Sequence, residues 1–458
     1  VLASNGQVYI GIENRIGWRF FLGEQDHPGT AYTSLMPRWL ANLYCRLRLK
    51  EPYRIYTHTK SGYEKMLREA GFNHIRFYSP IPHYSEYRVL VDLSNPLSAE
   101  HAFHARSRRG KLLMKLLRRW NFLRRFSHCY TIIASRNNSA ATFPEEITRK
   151  HIGHLADHPE SIRMTHMEVT RSNKTITFLT DGQYPKWVLL LGLNPSENIR
   201  IQSHIMATKS FLTFDRIPKH IRELCPPLLA SGEESGLAFS IQSVARGNPA
   251  LEYLSDVEWR ETFISEACQI LLELHVASRR PGVFSEHDYN RLCSSVVDES
   301  SKLCDLNKVR SQFLERIVGS SIPLVYSHFD YGPQHIFVDP STKKITGIID
   351  WEMGGPDELP IVDWFGFLVL TIHESEGKTL PSSYATVLKE VQPGGKRHQM
   401  LMIYIDGLGI SIPQASVLLK FSMILSIYHK KLDCDSIFVK QLPALFALVD
   451  EWEVKCQR

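Results

Sequence analysis

Two apolar runs that each end in an aspartate constrain this chain more than anything else in its 458 residues. Ser327-His328-Phe329-Asp330-Tyr331-Gly332-Pro333-Gln334-His335 is the first, and Ile348-Ile349-Asp350-Trp351-Glu352 follows it. The pattern reads as strand, loop, strand. A single Asp at a strand end is ordinarily a turn residue. Two in this order, with a His at each end of the first loop, mark a site. The turn aspartate, Asp330, is placed to orient an acceptor hydroxyl, and Asp350 to hold magnesium against nucleotide phosphates. Magnesium prefers hard oxygen ligands, so Asp350 suits it better than His335, a softer ligand that bonds it directly or through water. His328 is expected to serve the loop through hydrogen bonds to the metal-strand backbone.

These residues resemble the aminoglycoside phosphotransferase and choline kinase family, whose catalytic loop reads H-x-D-x-x-x-x-N and whose metal strand reads I-I-D-W/F-E/D. His328 and Asp330 match, and His335 stands where most members have Asn, as it does in macrolide-type members. Leu237 to Val244 leading into Arg246-Gly247-Asn248-Pro249 resembles the family's hinge, which makes Gly247 a candidate cofactor-binding residue. Leu271-Leu272-Glu273-Leu274-His275 resembles the helix beneath the catalytic loop. Leu359-Pro360-Ile361-Val362-Asp363 resembles the segment that anchors the metal loop. The resemblance spans roughly residues 160 to 455. It implies an α+β, bilobal, protein-kinase-like fold with a small β-rich N-lobe over 161–245 and a large helical C-lobe over 246–458. It also implies ATP or GTP and Mg2+ as cofactors, with Asp330 and His328 catalytic and Asp350 and His335 on the metal.

One departure bears on nucleotide binding. Related kinases carry a Lys on a strand of the type W-V-L-K, paired with a Glu from the next helix. Here the strand is Trp187-Val188-Leu189-Leu190-Leu191, with Leu190 at the Lys position and His204 at the Glu position. Lys186 shares the strand face of Leu190, but four residues at about 3.3 Å each put it roughly 13 Å away. Either nucleotide binds without that cation, or the domain is a degenerate kinase fold that holds a partner without phosphoryl transfer.

The N-terminal part has another composition. Residues 1–136 hold 22 Lys/Arg and 9 Asp/Glu, a net of +13, whereas the remainder carries a net of −7. Such asymmetry signals a boundary, and 137–160 reads as a linker. Val8 to Ile12 reads as a strand, Gly62 to Phe72 as a helix stopped by Gly71, and Ile75 to Tyr78 and Tyr130 to Ala134 as further strands. Together with Gly11-Ile12-Glu13-Asn14-Arg15, these segments resemble the C-terminal half of a class I S-adenosylmethionine-dependent methyltransferase. The resemblance implies a partial α/β, Rossmann-like segment in a methyltransferase-kinase fusion. The cofactor-binding half is expected upstream, and S-adenosylmethionine (SAM) would bind only with that half present.

Arg106 to Arg125 holds nine Lys/Arg and no acid, interleaved with Leu112, Leu113, Leu116, Leu117, Trp120 and Phe122. This amphipathic pattern fits a helix packed on its own domain with a solvated basic face, or one lying on an anionic membrane. No recognition motif for nucleic acid accompanies the charge. Eight cysteines without C-x-x-C or His-linked spacing read as free thiols of a cytoplasmic protein. Leu401 to Tyr428 is apolar but interrupted by Asp406, Pro413 and Lys420, as C-lobe helices are. The expected partners are a nucleotide and a small-molecule or glycan acceptor, the glycan by analogy with methyltransferase-kinase pairs that modify bacterial surface polysaccharides.

Overall fold

The computed structural model describes residues 6–27, 29–95, 98, 122–136, 141–303, 305–430 and 436–458. By contact the chain divides into two units, Val1–Gln202 with Leu228–Val244, and Ser203–Pro227 with Ala245–Arg458.

The first unit is built on one sheet. Its strands are β1 (Gln7–Glu13), β2 (His74–Ile81), β3 (Val89–Asp92), β4 (Cys129–Ser135), β5 (Arg163–Val169), β6 (Lys174–Thr180), β7 (Trp187–Gly192), β8 (Leu228–Glu234) and β9 (Leu237–Ser243), in the order β1-β4-β2-β3-β5-β6-β7-β9-β8. Every hydrogen-bonded pair of neighbours is antiparallel. The parallel pairing implied by a Rossmann-like segment is therefore not found between these strands. Instead β4 lies between β1 and β2, antiparallel to both, so β1 and β2 run parallel to each other on either side of it.

Helix α1 (Lys60–Glu69), the last helix between β1 and β2, starts where the Thr59 side chain accepts from the Gly62 N–H. It stops where expected. Gly71 takes φ +86°, which costs a residue without Cβ nothing, and the Phe72 N–H closes the last turn on the Leu67 carbonyl.

Where a linker is expected, Phe143–Ile152 forms helix α2, with Glu145 in its first turn accepting the N–H of Thr142, the residue before it. Glu145 does more than cap. Fully buried, it accepts from the Thr142 and Met164 backbone N–H groups and takes both carboxylate oxygens to Arg76 of β2 at 2.6 Å. With the β3–β5 pairing, this ion pair joins the basic N-terminal residues and the strands after α2 into one sheet. The segment 106–121 lies outside the described residues, and residues 122–125 fall in a short helix, Phe122–Phe126.

The second unit is mainly helical. It takes residues from Ser203 onward of α3 (Asn198–Thr213), then strand β10 (Asn248–Pro249) and the long helix α4 (Val257–Ser278). Strands β11 (Val325–Ser327), β12 (Ile336–Val338), β13 (Ile345–Ile348) and β14 (Gly355–Glu358) follow. Helices α5 (Val362–Glu376), α6 (Leu380–Glu390), α7 (His398–Leu408), α8 (Ile412–Lys430) and α9 (Ile437–Gln457) close the chain. The two small sheets, β10-β12-β13 and β11-β14, rest on one hydrophobic core running from Phe211 to Trp452. Leu401 to Tyr428 is split between α7 and α8, which bend by 108° at their junction. Among the described residues no single helix is long and apolar enough to cross a membrane. The architecture is α+β, a sheet-rich part and a helical part.

Candidate active site

The site is assembled by a hairpin register and one buried carboxylate. β12 and β13 pair with Ile336 opposite Ile348, and the Ile349 N–H donates to the His335 carbonyl at 2.9 Å. This brings His335 beside Asp350. Residue 350 then leaves the strand in the left-handed conformation, φ 68°, which starts the turn Trp351–Met353.

On the other side, fully buried β11 delivers His328, and Phe329 at φ 63° reverses the chain so that Asp330 emerges. His335 Nε2 lies 3.0 Å from Asp330 Oδ2, and its Nδ1 lies 3.8 Å from Asp350 Oδ2. One imidazole thus stands between the two carboxylates singled out in the sequence. Burial opposes charge on this ring, but the hydrogen bond and charge of Asp330, with the charges of Asp350 and Glu352, raise its pKa above the ordinary value.

His328 behaves differently although it is seven residues away. Its Nε2–H donates to the Ile349 carbonyl at 3.0 Å, and Nδ1 accepts the Asp330 backbone N–H at 3.3 Å. Complete burial pushes its pKa down despite the nearby Asp363 carboxylate. A neutral ring in one tautomer therefore ties the turn to the metal strand, tilted against Trp351 with ring centroids 4.4 Å apart.

The left-handed Phe329 needs a restraint, since a bulky residue there costs about 1–3 kcal/mol. Asp363, at the start of α5, supplies it. Its Oδ2 accepts from Ser327 Oγ at 2.8 Å and the His328 N–H at 2.5 Å, and its Oδ1 from the Phe329 N–H at 2.7 Å. Burial would raise the Asp363 pKa, but His275, His328 and these donors hold it below the ordinary value. Behind it, the Tyr404 hydroxyl accepts the Ile361 N–H and shares a hydrogen bond with His275 Nδ1 at 2.6 Å, while His275 Nε2 lies 3.7 Å from Asp363. Sequence reasoning placed the 359–363 segment as an anchor of the metal loop. The side chain of Asp363 grips the turn at 327–329 instead. The roles of His275 and Tyr404 were not read; the available signal was a polar residue embedded in an apolar helix.

The remaining candidates lie elsewhere. Gly247 has φ +88°, and a Cβ there would meet the Val338 carbonyl oxygen at 2.2 Å. Its conformation and close approach to β12 account for glycine without a ligand. In the first unit, Leu190 is 7% exposed within β7, between Ile176 of β6 and Ser240 of β9. Lys186 is committed to Asp181 at 2.6 Å and Asp157 at 3.6 Å, and Glu197 to Arg200.

The ligand atoms of Asp330, His335 and Asp350 all lie within 4.8 Å of one another. Two carboxylates and an imidazole at this spacing fit a divalent cation.

No curated protein matches the chain. Solved structures similar to it include a thermostable mutant of aminoglycoside phosphotransferase APH(4)-Ia in ternary complex with AMP-PNP and hygromycin B. That likeness has 12% identity and a TM-score of 0.43, covering 67% of this chain and 99% of that one. Aminoglycoside phosphotransferase APH(3'')-Id from Streptomyces rimosus shows 14% identity and a TM-score of 0.36, covering 68% and 99%. Macrolide 2'-phosphotransferase MphH from Brachybacterium faecium shows 12% and 0.35, covering 67% and 96%. With all three TM-scores below 0.5, the weight falls on local geometry and on the sequence match. Residues 203–368, which contain Asp330, His335, Asp350 and Asp363, match the phosphotransferase enzyme family.

Proposed function

We propose that this chain is a phosphotransferase that moves the γ-phosphate of ATP or GTP to a hydroxyl of a small molecule or glycan. The observation that carries this reading is the convergence of Asp330, His335 and Asp350 within the segment that matches the phosphotransferase family. Asp330 projects from a turn held by three bonds to Asp363, where an acceptor hydroxyl can give it a hydrogen bond. Little proton abstraction is needed early in a loose phosphoryl-transfer transition state, so orienting that hydroxyl is the main task. Asp350 and His335 would hold magnesium, which supplies positive charge against the phosphates. His328 keeps the spacing between turn and metal strand through its two backbone bonds.

A second reading is favoured by one observation. Leu190 is buried in the sheet, and Lys186 is tied to Asp181, so the expected phosphate-binding Lys is not supplied by that strand. A kinase fold without that cation can serve as a binding module that transfers nothing. Magnesium-dependent ATP and GTP calorimetry on the full chain, with Asp330→Asn and Asp350→Ala, separates the two. Phosphotransfer predicts nucleotide binding lost in Asp350→Ala and kept in Asp330→Asn, with turnover of a hydroxyl acceptor lost in the latter. No nucleotide binding by the unaltered chain would leave the binding module.

The N-terminal residues we read as derived from a SAM-dependent methyltransferase. The arrangement of β1, β4 and β2, with α1 leading into β2, supports that descent. The six described cysteines are free, which supports a reducing, cytoplasmic location. Contact of the basic segment 106–125 with an anionic membrane remains part of this proposal.

A further inference from the structure

In the first unit, the helix Arg38–Leu49 turns its large apolar residues outward and packs its small ones inward. Ala41 and Cys45, one turn apart, are 0% and 1% exposed and sit in a small core with Tyr53, Met36, Tyr44 and Ile55. On the other side Trp39, Leu43 and Leu47 recur every four residues and are 70%, 49% and 76% exposed, with Leu40 beside them. Residues at that spacing line one face of a helix. A lone exposed leucine is ordinary, whereas four large apolar side chains in one stripe mark a contact surface.

The charge around the stripe has one sign. Arg38, Arg46 and Arg48 belong to the helix and Lys50 caps it, and no Asp or Glu occurs between Asp26 and Glu51. Arg38 lies over the ring of exposed Tyr56, 3.2 Å from its centroid, and Arg48 bonds the Tyr44 hydroxyl. Arg46 and Lys50, seven and eleven residues after Trp39, fall on the same side of the helix as that ring and are exposed.

An apolar stripe containing tryptophan, with basic margins, matches a surface that is apolar in depth and negative at its rim. An anionic bilayer is such a surface. Leucines enter the acyl boundary, tryptophan sits at headgroup level, and Arg and Lys reach the phosphates while their stems cover apolar area. The net charge of +13 over residues 1–136 draws this region to negative lipid.

We propose that the helix Arg38–Leu49 is a docking element for an anionic lipid surface, with Trp39, Leu43 and Leu47 inserted and Arg46 and Lys50 on the headgroups. This site is distinct from the basic segment 106–125 and does not depend on phosphoryl transfer.

The probe is vesicles of phosphatidylglycerol and phosphatidylcholine in equal parts, against pure phosphatidylcholine, sedimented with the full chain. The expected result is binding to the anionic vesicles at least tenfold tighter than to the neutral ones. Leu43→Ser with Leu47→Ser should weaken it about a hundredfold, since burying each leucine is worth about tenfold or more. Arg46→Gln with Lys50→Gln should weaken it about 25-fold, at about fivefold for each cation near the surface. All four positions are exposed, so an unchanged near-ultraviolet circular dichroism spectrum is expected to accompany these losses. Dibrominated acyl chains should quench a component of the tryptophan fluorescence that is missing in Trp39→Phe, a variant that keeps affinity within about threefold. Equal quenching in Trp39→Phe, or unchanged binding in the double-leucine variant, overturns the proposal; the second result would leave lipid contact to 106–125 alone. No vesicle binding, with a concentration-dependent dimer in sedimentation that the double-leucine variant abolishes, would assign the stripe to a second copy of the chain and overturn it equally.

Discussion

Replacing Asp363 by Asn tests the argument that one buried carboxylate holds the Asp330 turn. The substitution keeps shape and removes charge. Asp363 accepts three hydrogen bonds, two on Oδ2 and one on Oδ1. An Asn can keep its oxygen on the two-donor side, but its NH2 then faces the Phe329 N–H, donor against donor. That forfeits one charge-assisted bond worth about 1.5–3 kcal/mol and leaves a buried N–H unsatisfied at a cost of about 1–3 kcal/mol. Some of the loss is returned as Phe329 leaves its left-handed conformation, which itself costs about 1–3 kcal/mol. A net of about 2 kcal/mol toward local opening remains, or roughly 30-fold at 1.36 kcal/mol per decade. Hydrogen exchange by mass spectrometry on peptides covering 325–333 measures this directly. Their amides should exchange about 30-fold faster in Asp363→Asn, while peptides from the first unit stay unchanged. Exchange within about threefold of the unaltered protein would refute the restraint and the placement of Asp330 argued from it.

Glu145→Ala removes the partner that Arg76, whose side chain is only 18% exposed, holds at 2.6 Å, and leaves it Asp92 at 3.6 Å. Breaking a buried pair costs about 3–5 kcal/mol when the remaining charge is uncompensated; with Asp92 still beside Arg76, urea unfolding should show a loss at the lower end, about 3 kcal/mol, and a change under about 1 kcal/mol would show that the pair does not join the sheet. Glu358, half-buried on β14 with Arg291 only partly compensating, has its pKa pushed up to about 7 from 4.5. A raised carboxylate pKa means stability that is full below the unfolded value and lost as pH rises through the folded one. The stability of the unaltered protein relative to Glu358→Gln should therefore fall by about 3 kcal/mol between pH 4.5 and 7.5. A difference independent of pH would place Glu358 in solvent.

The strands and turns around the site were legible because they depend on local chemistry. Ile348 must be buried, Asp330 and Asp350 cannot be, and a strand-turn-strand path follows from that contrast. Gly71 ended a helix for a reason contained in its own missing Cβ. The α2 helix was missed because Asn137-Asn138-Ser139 and the scattered charges read as linker, while Glu145, which looks like any surface acid in sequence, is buried by Arg76 sixty-nine residues away. Leu190 was recognised as a departure, but only strand pairing shows it enclosed between Ile176 and Ser240.

By itself, then, the sequence determined which residues could carry the chemistry, since residue type and spacing state what donors are present. The tertiary structure decided their roles. His328 and His335 are the same residue type in the same loop, yet full burial pushes the pKa of the first down, while the neighbouring carboxylates raise that of the second. Charge on a side chain depends on what surrounds it, and those surroundings come from α3, α5 and the β12–β13 hairpin, which meet only in the folded chain.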